Sequence, residues 1–380
     1  MDYQSGVYTS AHNLLGIIKS SLEADGWTIN SWTSDESGYE SWSGLDYAGA
    51  MRLHVKKQAG DGTWMHFNLK SVSRGVIFGD YYDNETMQND RYYSEIRGIG
   101  INGSTGYDGG EKWDEQPGYP VSKGTSKSTG ACVTELPVDS GLSYHIFHYT
   151  DLCVVVVEIA ANRYMYLAFG LLTKSGAYTG GQFYSGSLEV YRASYNYWYA
   201  WSSGVRREEW RSAFLGNAVA SFAAGYAVNR STLAVYLEVD GSNAWRHNAK
   251  EGNDDTSTIA NLQTGVQVPY SRTDDEDKYP RYAINFNELI YDRSPNHFNG
   301  ASILAPVYIF VRRATKRYTY LGLPEGIRVI NRSPYNSEDE FSIGDDTWKV
   351  FPAFDIADER GDDIINFSPH IGFAFLKATS

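Results

Sequence analysis

Cysteine, methionine and proline are scarce: two, five and eleven in 380 residues. The two thiols, Cys132 and Cys153, are too few for a disulfide framework or a four-thiolate zinc site. Each reads as a small buried hydrophobe. Long apolar runs are missing as well. The longest lies near Cys153 to Val157, far short of the roughly 20 residues a helix needs to cross a bilayer, so no transmembrane helix is expected. The start, Met1-Asp2-Tyr3-Gln4-Ser5, has no basic region followed by an apolar one, which predicts no secretory signal and synthesis in the cytosol. Positive charge is in deficit. Lys and Arg number 33 against 46 Asp and Glu, a formal charge of −13. That argues against a phosphate backbone as the main partner, since such affinity needs clustered cations.

What is abundant is aromatic and flexible: 30 Tyr, 16 Phe, 10 Trp and 37 Gly. Flat amphipathic rings suit pleated, half-exposed surfaces and glycine supplies positive φ between strands, so the composition predicts β-structure with many turns. Tyrosine also offers wide contact area with a polar tip, which suits wet interfaces. The length fits one large or two ordinary domains. The expected fold class is α+β and β-rich, with antiparallel sheets or a sandwich. Domains of 1–200 and 201–380 are expected, with a soft boundary that also allows one compact unit.

Ala11, Leu14, Leu15, Ile18 and Leu22 recur at helical spacing, with Thr9 and Ser10 as cap candidates and Gly26 as a stop. This is the N-terminal amphipathic helix. Two alternating runs, Ala50 to Val55 and Trp64 to Leu69, flank Asp61-Gly62 and predict a hairpin. Gly98 to Gly130, dotted with glycine, reads as a long exposed loop. The β-branched run Leu152 to Ile159 predicts a strand buried on both faces and central to a sheet, paired with Tyr164 to Leu172 across a short turn. Trp210, Phe214, Ala218 and Phe222 repeat every four residues, which predicts a second helix over 208–222. Asp254 to Lys278 reads as loop, and short strands separated by Pro, Gly, Asn and Asp follow it.

Motifs for chemistry are sparse. His145 and His148 are three apart, but Tyr144, Phe147 and Tyr149 favour a strand there, and a strand would point the two imidazoles to opposite faces. His54 and His66 could face each other across the hairpin, yet read as solvated strand positions. The acidic groups Asp274 to Asp277, Asp345-Asp346 and Asp362-Asp363 lack the alternation of a calcium loop and read as solvated turns. The glycines of Gly98 to Gly106 do not end in Gly-Lys-Ser or Gly-Lys-Thr, and no nucleophile elbow is present. No catalytic residue, cofactor or metal is expected. A binding or architectural role is favoured.

Several segments together carry a resemblance. Leu14 to Leu22 followed by Asp25-Gly26-Trp27, the strand Cys153 to Ile159, Tyr164 to Gly170, Phe298 to Pro306, Leu321 to Arg328 and Ile343 to Pro352 resemble structural proteins of tailed-bacteriophage particles. The resemblance implies a non-enzymatic subunit of the tail, baseplate or collar, located in the virion, contacting other virion proteins and forming a symmetric homo-oligomer. It implies no membrane and no sequence-specific nucleic acid as partner. Tyr197, Trp198 and Trp201, from the aromatic cluster Tyr195 to Trp201, and Asp108 and Trp113, from the glycine-rich segment, are the expected interface residues. The alternatives are a carbohydrate or host-surface binding module, with rings stacking on sugars, and a polysaccharide depolymerase using paired carboxylates.

Overall fold

Apolar alternation on both faces of one sheet organises the chain. The computed structural model describes residues 1–33, 50–72, 97–121, 128–134, 136–137, 141–191, 214–216, 233–239, 242–247, 262–264, 296, 300–314, 317–353 and 371–379. From the N-terminus run β1 (Asp2–Tyr8), the helix α1 (Ala11–Ala24), β2 (Thr28–Thr33), β3 (Ala50–Gln58), β4 (Trp64–Val72), β5 (Gly98–Ser104) and β6 (Thr129–Thr134). The middle supplies β7 (Leu142–His148), β8 (Leu152–Ala160), β9 (Arg163–Leu171), β10 (Thr173–Lys174), β11 (Thr179–Gly186), β12 (Leu188–Tyr191), a 3-10 turn at Phe214–Gly216, β13 (Leu233–Val239) and β14 (Ser242–His247). Then follow β15 (Leu262–Thr264), β16 (Ala305–Pro306), β17 (Ile309–Ala314), β18 (Arg317–Leu323), β19 (Ile327–Asn331), β20 (Glu340–Ile343), β21 (Asp346–Pro352) and β22 (Ile371–Thr379).

The central sheet has the order β1-β7-β8-β9-β11-β13-β14. On one side lies the sheet β12-β6-β5-β4-β3-β2 with α1, and on the other lie the sheets β16-β19-β22-β21-β20 and β10-β18-β17-β15. Neighbouring strands are antiparallel, so the chain is β-rich, as its composition predicts. The run in β8 explains the layering. Cys153, Val155 and Val157 join Phe67, Leu69 and Ile101 in one core, while Val154 and Val156 join Val329, Phe351, Phe373 and Phe375 in the other. Successive side chains of a strand point to opposite faces, and each buried valine stabilises by roughly 1.5 to 3 kcal/mol. β13 and β14 also pair into this sheet, which therefore draws strands from both sides of residue 200.

The helix is where the spacing places it. Ser10 Oγ accepts the Asn13 amide at 3.1 Å as N-cap, the stripe Leu14, Leu15, Ile18 and Leu22 is buried, and Gly26 takes φ +82° just beyond the end. The hairpins at Asp61-Gly62 and at Ala161-Asn162 also form, with Gly62 and Asn162 at positive φ. No described helix is long and apolar enough to cross a membrane.

Three expectations change. The segment Gly98 to Ser104 is not exposed loop but the buried strand β5, paired with β4 and β6. Gly103 serves close approach rather than a turn: a Cβ there would overlap the Trp245 ring, which reaches across from β14. The segment 105–121 is loop, yet the chain itself orders it. The buried Gln116 Nε2 donates to the carbonyls of Asp108, Glu111 and Lys112, and its Oε1 accepts the Asp108 amide at 2.8 Å. Of the helix expected over 208–222, the described part is the 3-10 turn at Phe214–Gly216, with Leu215 at φ 54°, and the remainder lies outside the described residues. Within the segment expected as loop from Asp254 to Lys278, Leu262–Thr264 forms β15.

Candidate functional site

Alternation in β7 sends its two histidines to opposite layers, as a strand must. His148 faces α1. Ser21 lies on the buried side of that helix, three residues beyond Ile18, and its hydroxyl is 2.7 Å from His148 Nε2. Asp25 Oδ2, at the end of the helix, lies 3.4 Å from His148 Nδ1. Ser21 and Asp25 thus stand at the two ring nitrogens of His148. The connectivity is that of a nucleophile, base and acid triad.

Its surroundings tie it into the packing. Ser21, His148 and the facing Cys153 are all buried, and burial pushes the Cys153 thiol up. The amides near Ser21 belong to the ladder of α1. Asp25 also accepts from Lys57 Nζ at 2.9 Å and from Trp27 Nε1 at 3.2 Å. Burial alone would raise its carboxyl, but the bonds from His148 and Lys57 outweigh that and hold it below the usual range. This chain of bonds ties α1 to the central sheet through β7 and to β3 through Lys57.

His145 faces the other layer. Its Nδ1 is 2.8 Å from the Tyr3 hydroxyl and its Nε2 is 3.3 Å from Glu338 Oε2. Glu338 sits just before β20 with φ 68°, its amide bonded to the Val350 carbonyl at 2.7 Å. Its carboxylate also accepts the Tyr164 hydroxyl at 3.0 Å and pairs with Lys349 Nζ at 3.4 Å. Burial would raise the Glu338 carboxyl, yet His145, Tyr164 and Lys349 prevail and lower it. Burial lowers His145 despite the nearby carboxylate, so the imidazole is neutral at pH 7. Burial, with Glu338 beside it, raises the Tyr164 phenol. Here too the titratable groups join two layers.

His54 and His66 correct an expectation: they are buried, not solvated, with ring centroids 5.5 Å apart. The loop after β5 covers His54, with the Tyr107 ring centroid 4.6 Å from its own. Burial lowers His54 to about 3, helped by His66, and lowers His66 to about 4. Trp64 flanks His66 and Tyr107 stacks on His54, and both rings are exposed. Among the described residues no group of three or more His, Cys, Asp or Glu is arranged to hold a metal ion.

Of the expected interface residues, Asp108 is exposed on its loop. Trp113 is not exposed: it is 8% accessible, within the core, with Lys70 Nζ 5.7 Å from its ring centroid. An aromatic ring in a glycine-rich stretch looks exposed until the stretch folds back on a sheet. Tyr197, Trp198 and Trp201 lie outside the described residues, as do Asp274 to Asp277 and Asp362-Asp363. Sequence reasoning missed Ser21, Asp25 and Glu338, which lie more than 120 residues from the histidines they meet. The one available signal was a serine on the apolar stripe of α1. Scans against protein-family models and against curated proteins return no match for this chain.

Proposed function

We propose that the chain is a non-enzymatic structural subunit of a tailed-bacteriophage particle, built through protein–protein interfaces into the tail, baseplate or collar as a symmetric homo-oligomer. The observation that supports this reading is the use made of the reactive side chains. Ser21, His148 and Asp25 on one face of the central sheet, and His145, Glu338 and Lys349 on the other, sit at the seams between layers, where Ser21 bonds His148 at 2.7 Å and a carboxylate lies 3.3 to 3.4 Å from a nitrogen of each imidazole. Groups so used cross-link a scaffold rather than meet a substrate. A formal charge of −13 suits a part outside the packaged genome.

The test is mass in solution by light scattering, with co-sedimentation on phage particles. The reading expects a multiple of the 42.5 kDa chain and incorporation into particles. A monomer that never joins particles, or steady hydrolysis of an ester or polysaccharide abolished by His148→Ala, overturns it. A second reading, binding of carbohydrate on the host surface, is favoured by the exposed Trp64 and Tyr107 rings at the two ends of the His66–His54 stack. A glycan array separates the two, with Trp64→Ala and Tyr107→Ala losing signal if rings stack on sugars.

A further inference from the structure

Among the described residues the central sheet ends in β1, with no strand paired to its outer edge. Natural edges are blunted by lysine, proline, bulges or shortness. The other edges show such devices: β2 has a register shift between Ile29 and Ser31, β14 contains Arg246, β20 has four residues and β10 has two. β1 has no lysine, arginine, proline or bulge, and its one charge, Asp2, stands at its first residue. Its seven residues pair with β7 without a shift, and among the described residues no strand lies on its other side. Asp2 and Gln4 to Val7 are exposed.

The strand is also held ready. The Tyr3 hydroxyl bonds His145 at 2.8 Å and Gln4 Nε2 donates to the Tyr144 hydroxyl at 3.0 Å, so ordering costs are largely met before any partner arrives. The Tyr3 amide, which points away from β7, bonds Asp2 Oδ1 at 2.9 Å, a local contact that pairing with a second strand replaces. Alternation then aims the amides of Tyr3, Ser5 and Val7 away from β7.

We infer that β1 pairs antiparallel with β1 of a second copy of this chain, with Ser5 on the two-fold axis, which joins two central sheets into one. This rests on the assembly reading and names its interface. The register is self-complementary. Tyr3 and Val7 share the face that packs towards Phe147 and Lys377, and the two-fold sets each Val7, 64% exposed, opposite the other copy's Tyr3. Charge selects the antiparallel sense. Asp2 lies at one end of β1, beside Lys377 over Tyr3 and its partner Glu340, while Tyr3 to Tyr8 carry no formal charge. Antiparallel pairing sets each charged end against an uncharged one, whereas parallel pairing would bring like charges together.

Cysteine cross-linking tests the register. Ser5→Cys faces its own copy across a hydrogen-bonded pair, at a Cα separation of about 5.5 Å that a disulfide accepts. Val7→Cys stands about 13 Å from its own copy, at four residues' offset, and does not link. The native thiols are buried and give little background. The expected result is oxidative dimer from Ser5→Cys and none from Val7→Cys. Ser5→Pro, which removes an outward amide, and Val7→Lys, on an exposed side chain, are each expected to weaken self-association at least tenfold by light scattering, with far-ultraviolet circular dichroism unchanged. Ile343→Lys, at an exposed site elsewhere, is expected to leave it unchanged. A monomer at every concentration overturns both this pairing and the assembly reading. An oligomer whose mass Ser5→Pro and Val7→Lys do not change, and which Ser5→Cys does not link, overturns the pairing alone.

Discussion

At His148, a single imidazole ties a helix to a sheet, and the stability of that tie is measurable. Ser21→Ala leaves His148 Nε2 buried without its 2.7 Å partner, an uncompensated polar atom that costs about 1 to 3 kcal/mol. Urea unfolding should show that loss as a lower midpoint at unchanged slope. His54 and His66 give a pH signature. Their folded values, about 3 and about 4, lie below the ordinary histidine value of 6.5. Below that value the unfolded chain takes up protons that the folded chain refuses, so their contribution is intact above it and is lost as pH falls towards 4 and then 3. Between pH 6.5 and 5 the loss is roughly 2 kcal/mol for each imidazole. Melting temperatures across that range should fall with acid, and His54→Leu should flatten the fall. A wild-type curve that stays level from pH 7 to 5 would contradict the burial of this pair.

Elements were legible in the chain where local spacing carries the information. Leu14, Leu15, Ile18 and Leu22 define α1 because a helix returns to one face every three to four residues, and Leu152 to Ile159 defines β8 because only a strand covered on both faces can use unbroken branched residues. β5 was not legible, because the glycine that lowers its strand propensity is there for a ring from β14. The strand and the ring are far apart in sequence, so no local pattern records their approach. Gly103→Ala should therefore cost about 1 to 3 kcal/mol through overlap with Trp245. Trp245→Leu in the same chain should recover part of it, and the non-additivity in a double-mutant cycle would measure the contact. β1 was equally silent. Its mostly exposed residues show no apolar alternation, and its place at a sheet edge comes from pairing with β7.

For the molecule as a whole, both cores share one sheet. Tyr149 closes the β7–β8 turn on one end and donates to the Gly326 and Leu376 carbonyls, at 3.1 and 3.0 Å, on the other. Neither flanking layer can leave without exposing a face of β8, so unfolding should be one cooperative event. Calorimetry and near-ultraviolet circular dichroism should give coincident transitions. Two separated transitions would mean that a flanking layer holds together without the central sheet. The amino-acid order by itself determined the helix, its cap and stop, the hairpin turns, the buried run of β8 and the β-rich class, since these depend on neighbours within a few bonds or turns. Only the tertiary structure decided which polar groups meet. Ser21 reaches His148, Glu338 reaches His145 and Trp245 reaches Gly103 through sheet pairing and layer packing. Those contacts form between segments whose distance along the chain says nothing about their distance in space.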